Sequence, residues 1–401
     1  WSSCGIPTNS SDVTINPVTF QPVIASNVSV NSLTIASGTS LTLNSGFNLN
    51  VSNAIANEGT LTIKSNANLI QTNNVANTGM GLANIERDSS PLFRLDYTMW
   101  SSPVTGNQTL GGFSPLTSTN RFYEYDTTTN LYSAVSNGDA FSLAKGYLIR
   151  MPNTWVDYVV SPPSTPLSWT GTFTGKPNNG TITYTMSTAG TAYNAVGNPY
   201  PSTLNIDNFI NGNSGNITGA LYFWRKTNDA TNLTSYSTCT TAGIAGGNAH
   251  PYSDDNFISV GQGFIVKATK TTLNFTNSMR VANNQNQFFK TKAVEKNRIW
   301  LNLSNNNNRV NQMMVAYMTG ATQEVDPTID GAYFNDSATA LNSLIANEEF
   351  AIQGRSLPFD ASDVVALAFK TDLGGNYTIA IDHADGLFAN GQDVYLIDSK
   401  T

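Results

Sequence analysis

Between about residues 12 and 75, apolar and polar residues alternate with few breaks, through VSVNSLTIASGTSLTLNSGFNLNVS and then GTLTIKSNANLIQT. A period of two places every second side chain on one face of a strand. Ser-Gly and Asn-Ala pairs interrupt the alternation and read as turns. SLTIASGTSLTL aligns with TLTIKSNANLIQ at an offset of 28 residues, pairing Leu33 with Leu61, Ile35 with Ile63 and Leu41 with Leu69. Repeated strand patches with one side chain in two pointing inward are what stacked coils of a β-solenoid need, and residues 1–88 are read as a short solenoid-like segment. An ordinary meander of hairpins carries the same alternation. Because a stable solenoid needs about three stacked repeats, this segment is expected either to lean on a neighbouring domain or to continue from rungs outside this sequence.

The next pattern occurs twice. WSSPV with Leu110 and Phe113 returns as VGNPYPSTL with Ile206 and Phe209. RFYEYD returns as ALYFWR, and DAFSLAKGYLIR returns as NFISVGQGFIVK, matching Ser142 to Ser259 and Gly146 to Gly263. The offsets are 96, 99 and 117 residues, so the order is kept while loops of the second copy lengthen. FYEY and YFW are apolar on both faces, as in central strands of a packed sheet. Gly146 and Gly263 fall inside strand patterns, where glycine marks a bulge or a close backbone approach. This duplicated β region is assigned to 89–290, with copies at about 97–190 and 191–290. From 291 to 401 six short strands are readable, in RIWLNLS, QMMVAYMT, EFAIQGR, VVALAFKT, NYTIAIDH and DVYLIDS, which predict an antiparallel β-sandwich. One helix is predicted, DSATALNSLIANEE (Asp336–Glu349), capped by Asp336 or Ser337. The fold class is therefore all-β: a short solenoid, duplicated sandwich-like modules and a C-terminal sandwich.

Composition narrows the function classes. Of 401 residues, 40% are apolar and only 12% charged, against a norm of roughly 25% charged. Asn, Thr, Ser and Gly supply the polar surface instead, a mixture common in extracellular structural proteins. A net charge of −7 offers no footprint for nucleic acid or an anionic membrane. No run of 18 apolar residues predicts a membrane span. Cys4 and Cys239 could form one disulfide or remain two thiols. The start at Trp1, without Met or a signal peptide, reads as a mature or trimmed piece of an exported protein.

Catalytic motifs are sparse. His250 and His383 sit in no metalloprotease frame, and neither a nucleophile elbow nor a phosphate loop occurs. The acidic pairs Asp254–Asp255, Glu348–Glu349 and Asp382/Asp385 read as turns or element ends rather than the two carboxylates of a glycosidase. No enzyme is expected, and no cofactor beyond a structural calcium for which Asp382, Asp385 and Asp393 are candidate ligands, a hard cation wanting several oxygens. Asp398 and DPTIDG (Asp326–Gly331) carry a similar weak signal. Flat aromatic rings stack on sugars, so Trp155, Trp169, Trp224 and Tyr236, with Tyr158 beside them, are candidate glycan contacts.

From Tyr97 onward, YTMWSSPVTG, RFYEYDTTTN, KGYLIRMPN, VGNPYPSTL, ALYFWRK, ISVGQGFIVKA, FTNSMR and NQFFK occur in order. RIWLNLSN, FAIQGRSLPF and YTIAIDHADGLF follow. Together they resemble secreted surface proteins of Bacteroidetes such as the flavobacteria, and GTLTIKSNANLIQT resembles what precedes this block in them. The resemblance implies export through the type IX secretion system, whose machinery would be a partner, and a location on the outer face of the outer membrane. It also implies a C-terminal sorting domain, which would begin near Lys400-Thr401. An adhesin or surface-structure role, with extracellular surfaces or glycans as ligands, follows as the expected function. The alternative is a carbohydrate-binding module of a secreted polysaccharide-handling protein. The family provides no catalytic residues to carry over.

Overall fold

The computed structural model describes residues 5–227, 235–246, 257–282, 295–306, 308–334 and 337–398. Strands make up 45% and helices 5% of it, about twice the usual strand share. No helix among the described residues is long and apolar enough to cross a membrane. The backbone divides into two compact units, the first holding Trp1–Thr218, Thr227–Asp229 and Asp255–Asn286, the second Gly219–Lys226, Ala230–Asp254 and Gln287–Thr401.

In the first unit the N-terminal alternation builds a three-faced solenoid. Its strands are β1 (Asp12–Ile15), β2 (Val23–Ile24), β3 (Val28–Val30), β4 (Ser32–Ile35), β5 (Ser40–Leu43), β6 (Asn48–Val51), β7 (Ile55–Asn57), β8 (Thr60–Ile63), β9 (Asn68–Gln71) and β10 (Leu82–Asp88). They stack as β1-β4-β7, β2-β5-β8-β10 and β3-β6-β9. All these pairings are parallel, with Leu33 beside Ile55, Leu41 beside Leu61 and Leu49 beside Leu69. The coil therefore repeats every 19 to 22 residues rather than every 28. The offset of 28 spans one coil plus one face, so it equates β4 with β8, which lie in different sheets. A strictly alternating sequence permits that slip, because every face carries the same apolar pattern.

Asparagines of successive coils bond to one another in a ladder beside the apolar stack, and Asn48 and Asn68 among them are buried. The Asn48 amide donates to Asn27 Oδ1 (3.1 Å), Asn68 donates to Asn48 Oδ1 (3.0 Å), and Asn68 Oδ1 accepts the Thr203 N–H (3.0 Å). A second ladder runs from Asn73 to Asn53 (2.6 Å), Asn31 (2.7 Å) and Asp12 (2.8 Å). The expected support from a neighbour is present at two of the three faces. β10 pairs antiparallel with Thr170–Pro177, which carries Val104–Thr105 on its other side. The Leu69 N–H of β9 donates to Pro201 O at 2.8 Å, while Ala56 of β7 bridges to Thr78 of the same segment. Solenoid residues such as Leu43, Leu61 and Ile85 share one core with Trp100, Phe113, Phe122 and Phe173 of the first copy.

The duplication is visible in local structure. Tyr97–Trp100 pairs antiparallel with Tyr147–Arg150, and Tyr193–Gly197 pairs likewise with Gly263–Ala268. Each copy follows its first strand with a short helix, Leu110–Phe113 or Ile206–Gly212, capped by Thr109 or Asn205. Such caps satisfy an orphan N–H of the first turn. The copies meet reciprocally, as across a two-fold axis: the Ser101 N–H donates to Gly261 O (2.9 Å), and the Gly197 N–H to Ala144 O (3.0 Å). Gly146 and Gly263 mark close approach. A Cβ at Gly146 would lie 2.8 Å from Val196 O, and one at Gly263 would lie 2.5 Å from Met99 Cγ.

The second unit is built on a seven-stranded sheet in the order Leu367–Lys370, Ala340–Ile345, Glu348–Arg355, Asn308–Met318, Lys296–Asn305, Tyr377–Ala384, with Gly331–Ala332 also against Glu348–Arg355. Five of the six expected strands are there. Glu348–Arg355 runs parallel to Asn308–Met318, so the sheet is mixed rather than wholly antiparallel. One face buries Trp300, Met314, Ala316 and Ile352 against Ala242 and Ala245. The other buries Ile299, Leu303, Met313, Val315 and Leu341 beneath half-buried Leu357, Phe359, Val365 and Phe388. Two expectations fail here. The predicted helix is a hairpin, Ala340–Ile345 and Glu348–Arg355, turning at Ala346 (φ +50°) and Asn347 (φ +70°). Two positive-φ residues are what a tight two-residue hairpin requires. DVYLIDS forms no strand over its described residues, and Tyr395 and Ile397 are about 80% and 79% exposed.

Candidate functional site

The four aromatic candidates serve packing. Trp155 donates its indole N–H to Leu92 O and Leu167 O, both at 3.1 Å. Trp169 stands edge-on to Trp100 and Phe113, with centroids 5.9 and 5.3 Å away. Trp224 and Tyr236 meet edge-to-face at 5.4 Å and 83°, and buried Tyr236 also touches Phe334. Only this last pair is brought together, and its rings are crossed rather than coplanar. Tyr158 lies edge-on to Phe93.

The candidate calcium ligands do not converge. Asp385 accepts the Arg298 N–H and Nε–H, each at 2.7 Å, and pairs with Arg298 Nη2 at 2.5 Å. Asp382 accepts from Asn302 (2.6 Å) and Gln312 (3.1 Å) and lies 2.7 Å from His383 Nδ1. Asp393 and Asp398 are exposed in the C-terminal stretch. Among the described residues no three His, Cys, Asp or Glu side chains are grouped to hold a metal ion. The other acidic signals resolve into structural contacts. Glu349 accepts from Asn342 (2.9 Å) and Lys370 (2.8 Å). Asp326 accepts the Thr322 N–H (2.5 Å), and Asp330 accepts the N–H groups of Asp326 and Gly354, both at 2.6 Å. Burial pushes the Asp330 carboxyl up to about 6, against the opposing pull of those two N–H groups. His383 stacks on Trp300 at 4.0 Å and 17°. Cys239 is buried. Cys4, His250, Asp254, Asp255 and Asp336 lie outside the described residues.

One concavity was not signalled by any motif. A cleft of about 530 Å³ in the second unit is lined by Glu295, Asn297, Thr319, Gly320, Ala321, Leu357, Pro358, Phe359 and Leu387. Four segments meet there: the start of Lys296–Asn305, the turn after Asn308–Met318, the loop after Glu348–Arg355 and the short helix Gly386–Ala389. Buried Asn297 ties two of them, its Oδ1 accepting the Leu387 N–H at 2.8 Å. Phe359 is fixed edge-on by Tyr317 (4.8 Å) and Phe388 (5.7 Å). Tyr317 donates its hydroxyl to Asp363 at 2.8 Å, and Asp363 forms an ion pair with Arg355. The Arg355 hydrogen bonds hold the Asp363 carboxyl below the usual carboxylate range. The cleft thus has a braced apolar wall and one ionisable side chain, Glu295, at an exposed position. The apolar Leu-Pro-Phe inside a polar turn was the only sequence trace of it.

No curated protein and no solved structure matches the chain. The model of one family matches residues 1–401, and the chain belongs to that family, described as a domain of unknown function, DUF8693.

Proposed function

We propose that this chain is a non-enzymatic secreted surface protein, an adhesin or surface-structure component of a Bacteroidetes cell envelope, exported by the type IX secretion system. Its partners on this reading are extracellular glycans or other surfaces. The observation that carries it is a row of polar side chains on one solenoid face. Thr42 lies beside Thr62, Thr62 beside Asn84 and Asn84 beside Thr174, at one height across four neighbouring strands. Their inward neighbours Leu43, Ile63 and Ile85 are fully buried. Neighbouring strands lie about 4.8 Å apart, so the row repeats hydroxyl and amide groups at a regular interval on a stiff support. Such an array suits contact with a repetitive polymer. The crossed, half-buried aromatics give no separate support to a carbohydrate-binding module of the ring-stacking kind.

The test is binding of the purified chain to an immobilised glycan array, beside a Thr42→Lys/Thr62→Lys variant whose thermal midpoint is checked. The expected result is saturable binding that the variant loses while staying folded. Equal binding by the variant removes the row from the argument. The export claim is tested by cell-surface protease shaving: loss of surface protein on disrupting type IX secretion supports it, and unchanged display overturns it.

A further inference from the structure

We propose that the cleft between Glu295 and Phe359 binds a lysine side chain presented by a partner polypeptide. The argument is charge complementarity over an apolar groove. Leu357, Phe359, Leu387 and Ala321 supply an apolar lining that matches a four-carbon stem. Glu295 is the one charged side chain lining the cleft, and it has no ion-pair partner among the described residues. Of the other polar lining residues, Thr319 carries a hydroxyl that can accept, and Asn297 is engaged at both ends, its oxygen by the Leu387 N–H and its amide by Glu295 Oε1 (3.4 Å) and Tyr317 O (3.5 Å). An ammonium carries three donors and no acceptor, which fits a carboxylate beside a hydroxyl better than it fits any donor-rich site. A guanidinium prefers a planar two-oxygen face, and one of the two Glu295 oxygens already accepts the Asn297 amide at 3.4 Å.

Preformation favours a ligand here. Asn297, Phe359, Tyr317 and the Asp363–Arg355 pair hold the walls before anything binds, so little ordering remains to oppose association. The site is independent of the solenoid row and does not require the adhesin reading to hold.

The experiment is isothermal titration of the full chain with three blocked tripeptides, Ala-Lys-Ala, Ala-Nle-Ala and Ala-Lys(acetyl)-Ala. Saturable binding of the lysine peptide is expected, weakened roughly fivefold or more by Glu295→Gln, by norleucine and by acetylation, and weakened by added salt. Leu387→Ala is expected to weaken binding of both the lysine and the norleucine peptides. Glu295 is exposed, so Glu295→Gln is expected to keep the thermal midpoint of the parent chain, and a shared midpoint separates lost binding from lost folding. Equal affinity for lysine and norleucine overturns the charge assignment, and no saturation by any peptide in the millimolar range overturns the site.

Discussion

Arg280 is the most consequential single residue in the first unit. Its guanidinium is fully enclosed with no carboxylate among its contacts, donating to Ser202 Oγ (2.9 Å), Asn179 Oδ1 (2.8 Å), Asn277 Oδ1 (3.1 Å) and Leu69 O (2.6 Å). The Tyr200 ring lies 4.7 Å below it. Burial pushes the guanidinium down to about 9, with Tyr200 pulling the other way, so it remains charged at neutral pH. The contact with Leu69 O ties the last strand of one solenoid face to the second copy. Arg280→Lys keeps the charge but cannot reach all four acceptors. Leaving buried acceptors unmet costs about 1–3 kcal/mol each, and a loss of roughly 2–4 kcal/mol in urea unfolding is expected. Asp330 gives a prediction of opposite character. Its folded pKa of about 6 lies above the ordinary 3.8, so the native state holds a proton that the unfolded chain releases. Stability from this group therefore rises as pH falls from about 6 towards 3.8 and is lost as pH rises through 6. Comparing the unfolding free energies of the parent and Asp330→Asn across that range should show the parent gaining on the variant as acid is added. Parallel profiles would count against a raised carboxyl.

At the scale of elements, burial divides even the residues of one solenoid strand. Asn48 is fully buried and bonded both above and below, whereas Asn50, two positions along the same strand, is only half-buried and donates to Ser29 Oγ at 3.3 Å. Asn48→Ala opens the ladder and removes the Asn48 oxygen that accepts from the Asn68 amide, at a cost of about 1–3 kcal/mol. Asn50→Ala should stay within roughly 0.5 kcal/mol of the parent. Equal effects in chemical denaturation would mean that the ladder contributes nothing. The alternation that exposed these strands in the sequence was a local signal, and local signals were read well. Coil length was not local: it depends on which Leu stacks on which, and Leu33 resembles Ile55 and Leu61 equally. The hairpin at 340–355 was hidden for a related reason. Ala, Leu and Glu favour a helix in isolation, but Leu341 and Ile352 are claimed by opposite faces of the seven-stranded sheet. Tertiary packing overrides the propensity. The cleft was least legible, because its walls come from Glu295 to Leu387 and only the fold brings them together.

For the molecule as a whole, the unresolved tension is apolar surface in the second unit. Tyr377–Ala384 is an edge strand of the sheet, and Ile381 on it is 55% exposed. Leu396 is 62% exposed, between Tyr395 and Ile397, which are more open still. No further strand pairs with that edge among the described residues; an open strand edge offers unpaired backbone groups to any extended segment, and contiguous exposed apolar residues mark association surfaces. Neither lysine nor proline occurs in Tyr377–Ala384 to blunt that edge, although Asp382 places one charge there. The purified chain is therefore expected to associate as its concentration rises, which sedimentation velocity over a hundredfold dilution series would detect. An Ile381→Lys/Ile397→Lys variant puts a charge on the edge and another on the exposed segment, and should shift the distribution towards monomer without altering the thermal midpoint. Both positions are solvent-facing, so a change in association cannot be assigned to a lost core. A parent chain that stays monomeric throughout, or a variant that associates as strongly, would show that these residues leave the surface inert.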